Sequence, residues 1–397
     1  MFMTSQPILF QDNEVYNNMR KERYQARTFL QSFTTLTATR NCGHHSHTNR
    51  VDFYRGVNSN GLYRSSVRNL ISCRSLWACP FCSFSASAVR SAQISNILSG
   101  WKTLGYNTSF ATLTVSHNKN TRLDTLWSGL LTSYKNFQQG KGYMSLKDKF
   151  GIVGSVRAIE ATYGKNGWHL HIHLVFMHDK KININDLSAA VYSRWASVTA
   201  NNGLQTSKAG FDIRRSFSDS GLSSYLNKNN YDLGKELTNT QNKKYSTGSR
   251  TPFTILYNLK ENNQVDCSCV NQETGELISK NKCNFCLWRD WEKTSKGKRQ
   301  IGYSGKKYIL ALLKCLDLDT DKAEQDLIIF NDTYQLSISN LEYKIMLKKE
   351  LVIPFLDILQ ISKLDAELFL INNNIYYFEI IELLTTSELT TIGKTTF

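Results

Sequence analysis

The sequence predicts an α+β chain with a central antiparallel sheet and small zinc-binding modules. Three observations predict it: two strand-forming runs joined by a short turn, helical-period segments around them, and two groups of closely spaced cysteines. At 397 residues the chain exceeds one ordinary domain. A hydrophobic share of 41% and a charged share of 20% exclude a largely disordered chain. No apolar run reaches the ~18 residues of a membrane span, and Met1 to Phe10 lack the basic and apolar blocks of a secretory signal. The expectation is a cytoplasmic protein, in which nine cysteines point to metal sites more than to disulfides.

Taken in order, residues 1–40 are polar and weakly patterned, as in a loosely held N-terminal arm. Residues 41–100 hold four cysteines among short polar stretches, followed by a helix over 84–99. That helix has Ala86, Val89, Ile94, Ile97 and Leu98 on one face, and Gly100 is expected to end it. Residues 101–237 read as an α/β segment. Phe110 to Val115 is rich in strand formers, and Leu123 to Phe137 repeats apolar residues at helical spacing behind a Thr121/Asp124 capping box. Residues 152–162 and 168–177 are two strands joined through Gly164-Lys-Asn-Gly167. A helix around Leu187 to Val198, a strand over 211–217 and a short helix after Gly221 complete the segment. Residues 238–316 open on a polar linker, then a helix starting at Thr251-Pro252, with proline at its first position.

Charge divides the chain. The total is +15, yet residues 317–397 carry fourteen acids and six lysines, a net of −8, which leaves +23 on residues 1–316. A body that basic is expected to meet nucleic acid, and the acidic C-terminal segment is expected to do something else.

Trp168 to Phe176 concentrates the chemistry. A strand alternates faces, so His169, His171 and His173 share one side and Leu170, Ile172 and Leu174 the other. Three alternating histidines point to a metal. With Lys165-Asn166 at the turn centre, Glu160 faces His171; with Asn166-Gly167 there, it faces His173. Either register adds a carboxylate to two imidazoles, a donor set suited to Mg²⁺ or Mn²⁺ bound to a phosphate oxygen.

The cysteines fall in two groups. Cys73, Cys79 and Cys82 are closely spaced, and either Cys42 or one of His44, His45 and His47 completes a closed structural Zn²⁺ site. Cys267, Cys269, Cys283 and Cys286 have zinc-ribbon-like spacing, a second Zn²⁺ site. Cys315 is left over as an apolar core cysteine. Past the second group, Lys293, Lys296, Lys298 and Arg299 interleave with Trp288, Trp291 and Tyr303. Such a pattern serves either base stacking or a solvated helix face.

The strand from Phe110, the His-Leu-His-Ile-His strand and a later tyrosine helix resemble the three motifs of HUH endonucleases. More closely, the chain resembles replication initiator (Rep) proteins of rolling-circle plasmids. Cys73-Arg-Ser-Leu-Trp-Ala-Cys-Pro-Phe-Cys82, Ile159-Glu-Ala-Thr-Tyr163, Gly167-Trp-His169, Tyr225-Leu-Asn-Lys228 and Gly248-Ser-Arg-Thr-Pro-Phe253 carry that match, in order, over roughly residues 40–310.

The resemblance implies an HUH domain over 101–237, with His171 and His173 as metal ligands and Glu160 where a third is expected. It favours Cys42 as fourth zinc ligand and marks the second cysteine group as an insertion. It implies Tyr225 as nucleophile, with Lys228 one turn on to steady the phosphate or favour the phenolate; Tyr231 is the runner-up. Several related initiators carry a glutamate four residues before the tyrosine. Gly221 stands there instead, which leaves Asp219 or Tyr231 to serve in termination. The implied function is origin nicking and rejoining in plasmid replication, on origin DNA single-stranded at the nick, with host helicase and polymerase as partners. The alternatives are a rolling-circle transposase of the same class and a non-catalytic zinc-finger regulator.

Overall fold

The computed structural model describes residues 13–57, 63–215, 248–269, 282–305 and 332–379. The chain forms two compact units, one from residues 1–75 with 328–397 and one from residues 76–327.

In the first unit, strands β1 (Arg50–Val57) and β2 (Tyr63–Arg68) form an antiparallel sheet with β8 (Thr333–Ser339), in the order β2-β1-β8. Phe53 on β1 is fully buried against Tyr343 and Phe355, with ring centroids 6.5 and 4.7 Å away. Those rings come from α9 (Asn340–Lys348) and α10 (Val352–Ile361), which α11 (Lys363–Asn372) follows. From Asn13 on, the expected loose arm is instead largely helix. Residues Asn13–Phe33 form α1, which buries Tyr24, Ala26 and Leu30. Arg20, also buried, donates to Ser65 O at 3.0 Å and to Asp357 at 2.6 Å. A one-turn helix, α2 (Thr37–Arg40), leads toward Cys42. The described part of the acidic segment thus shares a sheet and a core with residues of the basic N-terminal part.

The second unit is built on a five-stranded antiparallel sheet in the order β6-β3-β5-β4-β7. Its strands are β3 (Asn107–Thr114), β4 (Ile152–Gly164), β5 (Gly167–His178), β6 (Phe211–Arg215) and β7 (Ile301–Ser304). The tight turn between β4 and β5 pairs Gly164 with Gly167 and therefore Glu160 with His171, the first of the two expected registers. Gly167 has φ +85°, and a Cβ there would sit 3.0 Å from Lys119 Cα, so only glycine lets the loop after β3 lie on the hairpin tip.

Helices cover both faces. On the face shared by His171, His173 and Val175, α3 (Pro80–Thr103) buries Ile94 and Leu98 against Phe110, Val156, Val175 and Ile301. It starts earlier than expected, because Pro80 sits at its first turn, and it runs through Gly100 to Thr103. The other face packs against α4 (Leu123–Phe137), α5 (Gly140–Phe150) and α6 (Ile184–Asn201), with Leu170, Ile172 and Leu174 fully buried. The expected capping box fails at α4. Its N-cap is Arg122 without a side-chain cap, and Thr121 Oγ1 accepts instead from Asn118 N–H at 3.1 Å.

After the hairpin, Arg250 and Tyr163 exchange backbone hydrogen bonds of 2.8 and 2.9 Å, and α7 (Pro252–Glu261) follows with Thr251 capping it. Helix α8 (Asn284–Ser295) carries Trp288 and Trp291, both fully buried. Trp291 stacks on Trp168 at 5.5 Å and donates to Trp77 O at 2.8 Å. These two rings are core, so they cannot receive bases; among the three aromatics of that stretch, Tyr303 is exposed. Among the described residues, no helix is long and apolar enough to cross a membrane.

Candidate metal centre and cysteine sites

Period-two geometry on paired strands assembles the centre. Glu160 on β4 and His171 and His173 on β5 place three donor atoms together. His173 Nε2 is 2.6 Å and His171 Nε2 is 2.9 Å from Glu160 Oε2, and the two nitrogens are 3.1 Å apart. Glu160 is 1% exposed. A carboxylate taken from water to that depth needs cationic or hydrogen-bonding partners, which the two imidazoles or a shared cation supply. Two neutral imidazole nitrogens and one carboxylate oxygen on rigid strands are a donor set that fits a divalent ion.

His169, third of the histidine row, lies outside this donor group. Its Nδ1 is 2.8 Å from His117 Nε2, and His117 Nδ1 donates to Asn166 O at 3.1 Å. Because Asn166 O only accepts, the proton of neutral His117 sits on Nδ1. His117 Nε2 then accepts from His169 Nδ1–H. Burial, with His171 and His117 adding to it, pushes His169 down to about 4, so it is neutral at physiological pH. His117 was not singled out by the sequence. Its signal is the register of β3 on β5, which places it beside the hairpin tip, and that pairing is not local in sequence.

The second cysteine group gathers in one unit, with all four sulfurs within 4.8 Å of one another. Cys267 and Cys286 Sγ are 3.1 Å apart, and Cys283 N–H donates to Cys269 Sγ at 3.0 Å. Burial raises the Cys283 thiol, but backbone N–H groups of Cys286 and Ser268 outweigh it and hold it at about 6. A thiolate at the N-cap of α8 is ready to bind a cation.

The first cysteine group is divided between the units. Cys42 and Cys73 belong to the N-terminal one, where Cys73 N–H donates to Cys42 Sγ at 3.4 Å. Cys79 and Cys82 belong to the other, where Cys79 caps α3 by accepting from Cys82 N–H at 3.5 Å. Of the alternative ligands, His44 Nε2 lies 3.1 Å from Gln31 Oε1.

Tyr225, Lys228, Tyr231, Asp219 and Gly221, the short helix after Gly221, and Cys315 lie outside the described residues.

No family model matches the chain, and no solved structure matches it. A curated protein of Streptomyces cyanogenus, named as a neomycin resistance protein, is 25% identical over 133 residues, covering 27% of this chain and 30% of the relative. A curated protein of Streptomyces lividans, named Protein rep, is 22% identical over 323 residues, covering 68% of this chain and 69% of the relative. The likeness to Rep-type plasmid replication proteins carried by the motifs is thus borne out by a Rep relative that aligns with two thirds of this chain.

Proposed function

We propose that this chain is a metal-dependent nicking–joining enzyme of the HUH class that initiates rolling-circle plasmid replication. The observation that carries the reading is the convergence of Glu160, His171 and His173 on one face of an antiparallel sheet. The likeness to Protein rep and the basic charge of residues 1–316 support it.

A Mg²⁺ or Mn²⁺ ion held by these three residues would polarise a phosphate oxygen at the nick. Tyr225 is the nucleophile. Its Oη forms a bond to phosphorus as the P–O3′ bond breaks, and the phenolic proton ends on the departing 3′ oxygen. The 5′ phosphate stays on the tyrosine and the 3′-OH primes synthesis. Because the phosphodiester energy is conserved, the reverse step rejoins the strand. Lys228 steadies the phosphate. Residues 101–237 form the catalytic domain, and the two cysteine groups hold structural Zn²⁺. The ligand is plasmid origin DNA, single-stranded at the nick, with host helicase and polymerase acting after it in the cytoplasm.

The test is incubation of the full chain and Mn²⁺ with single strands from the replicon that carries the gene. One nick at one position, with protein joined to the 5′ end, is the expected result. Sequence-specific binding without any cut would favour the non-catalytic regulator instead.

A further inference from the structure

The two histidines of the metal centre are not held alike. His173 Nδ1 lies 3.4 Å from Thr112 Oγ1, and the His173 ring stacks on Phe110 with centroids 5.1 Å apart and planes 29° from parallel. Thr112 faces His173 directly across the β3–β5 ladder, and Phe110 stands two residues away on the same face, so one strand supplies both supports. His171, by contrast, has a buried Nδ1 with no hydrogen-bond partner among the described residues.

An imidazole that gives its Nε2 lone pair to a metal carries its proton on Nδ1, and that N–H needs an acceptor. A threonine hydroxyl accepts from Nδ1–H in that state. When the proton sits on Nε2, facing Glu160, the same hydroxyl turns and donates to Nδ1. One side chain therefore satisfies Nδ1 with and without metal. An apolar residue would leave Nδ1 unpaired inside the protein.

We propose that Thr112 is a positioning residue of the metal centre: it holds His173 with Nε2 presented to the ion, while His171 adjusts to it. This rests on reading Glu160, His171 and His173 as a divalent-metal centre.

The test compares T112V and T112S with the unaltered full chain, with free Mn²⁺ followed by electron paramagnetic resonance. Valine keeps the β-branched shape and loses only the hydroxyl. It should weaken Mn²⁺ binding about tenfold, the usual effect of removing such a support. Serine should restore the affinity. Nicking by T112V should need correspondingly more Mn²⁺ and recover at saturation. In Mg²⁺-loaded, ¹⁵N-histidine-labelled protein, the His173 proton should be found on Nδ1. Should T112V lose its circular-dichroism spectrum, T112A against T112S makes the same comparison. Mn²⁺ affinity unchanged in T112V, or equally weak in T112S, overturns the role of the hydroxyl while leaving the centre in place. Mn²⁺ affinity unchanged in H171A overturns the centre itself.

Discussion

Glu160 Oε2 lies closer to His173 Nε2, at 2.6 Å, than to His171 Nε2, at 2.9 Å, although His171 is its partner in the β4–β5 ladder. Diagonal neighbours on one face of an antiparallel pair are within reach of a long side chain. One carboxylate oxygen thus serves both histidines, so its charge matters to the whole donor set. Glu160→Gln keeps the shape and removes the charge. It should weaken Mn²⁺ binding about ten- to a hundredfold, read by calorimetric titration, with an unchanged circular-dichroism spectrum.

Loss of a histidine should separate chemistry from affinity. H171A or H173A should lower nicking about a hundredfold or more, because the ion acts on one phosphate. DNA affinity should largely survive, since it comes from many contacts of the basic surface. Gel shift and nicking assays on the same preparation read the two. Normal Mn²⁺-dependent nicking by the double variant would remove the assignment.

The hairpin tip should be intolerant of a side chain. Gly167→Ala puts a Cβ 3.0 Å from Lys119 Cα and 3.2 Å from Asn118 O at φ +85°, and both neighbours are backbone atoms. A cost of about 1–3 kcal/mol is expected, read as a lower urea midpoint. Displacement of the loop that carries His117 should accompany it. Alanine at Gly297, at φ +72° but with nothing near its Cβ, meets no such contact and should cost less.

Acid should weaken the fold through His178. This side chain is fully buried, donates from Nδ1 to Phe150 O at 2.9 Å and accepts at Nε2 from Ser109 Oγ at 2.8 Å. Burial lowers its pKa below the ordinary 6.5. Below pH 6.5 the unfolded chain therefore binds a proton that the folded chain refuses. The stability is fully present above that pH and is lost as the pH falls through it. His117 and His169, lowered for the same reason, act in the same direction. The urea midpoint should drop between pH 7.5 and 5.5, and H178Q should be less stable at pH 7.5 but show a shallower drop. An equal drop in both would exclude His178 as a source.

How far the sequence led follows from what is local. The hairpin could be read because Gly164 and Gly167 bracket a two-residue turn, and the turn fixes the pairs from there back to Gly154 with Met177, Glu160 with His171 included. The histidine face followed from alternation alone. The strand β7 has only four residues and pairs with β4 far away in sequence, so no periodicity marks it. Strand β8 is longer, but its residues do not alternate between buried and exposed, and its partner β1 is still more remote in sequence. Lysines surround Trp288 and Trp291 in sequence, which left base stacking and a solvated helix face both open. In the fold Trp291 turns inward onto Trp168 and Trp77 and Trp288 toward Phe253, whereas Lys293, Lys296 and Lys298 are exposed. Thr112 and His117 became visible only once β3 was placed beside β5.

Zinc should be countable. The two groups of four cysteines in the sequence predict about two zinc atoms per chain by elemental analysis, and strong chelation should remove both. Cys283→Ser should remove one of the two and leave the other. The Cys283 thiol, held at about 6, is already deprotonated at neutral pH, so zinc uptake at this ligand releases little of a proton. A folded, active preparation without zinc would end the assignment.

The nucleophile is the sharpest test of the proposed function. A phenolate oxygen must remain on the product, so denatured enzyme should migrate with the 3′ portion of the cut strand, joined through its 5′ phosphate. Tyr225→Phe removes only that oxygen and keeps the ring. It should leave folding and DNA binding intact while ending adduct formation. Tyr231→Phe should still nick, and should fail only in termination if a second tyrosine replaces the acid missing at Gly221. Mass spectrometry of the trapped peptide assigns the residue directly. An adduct on Tyr231, or on any residue outside 218–231, would mean that Tyr225 is the wrong tyrosine. Cleavage without any adduct would make water the nucleophile. The freed energy would then be lost, and rejoining, on which rolling-circle replication depends, would have no chemical basis.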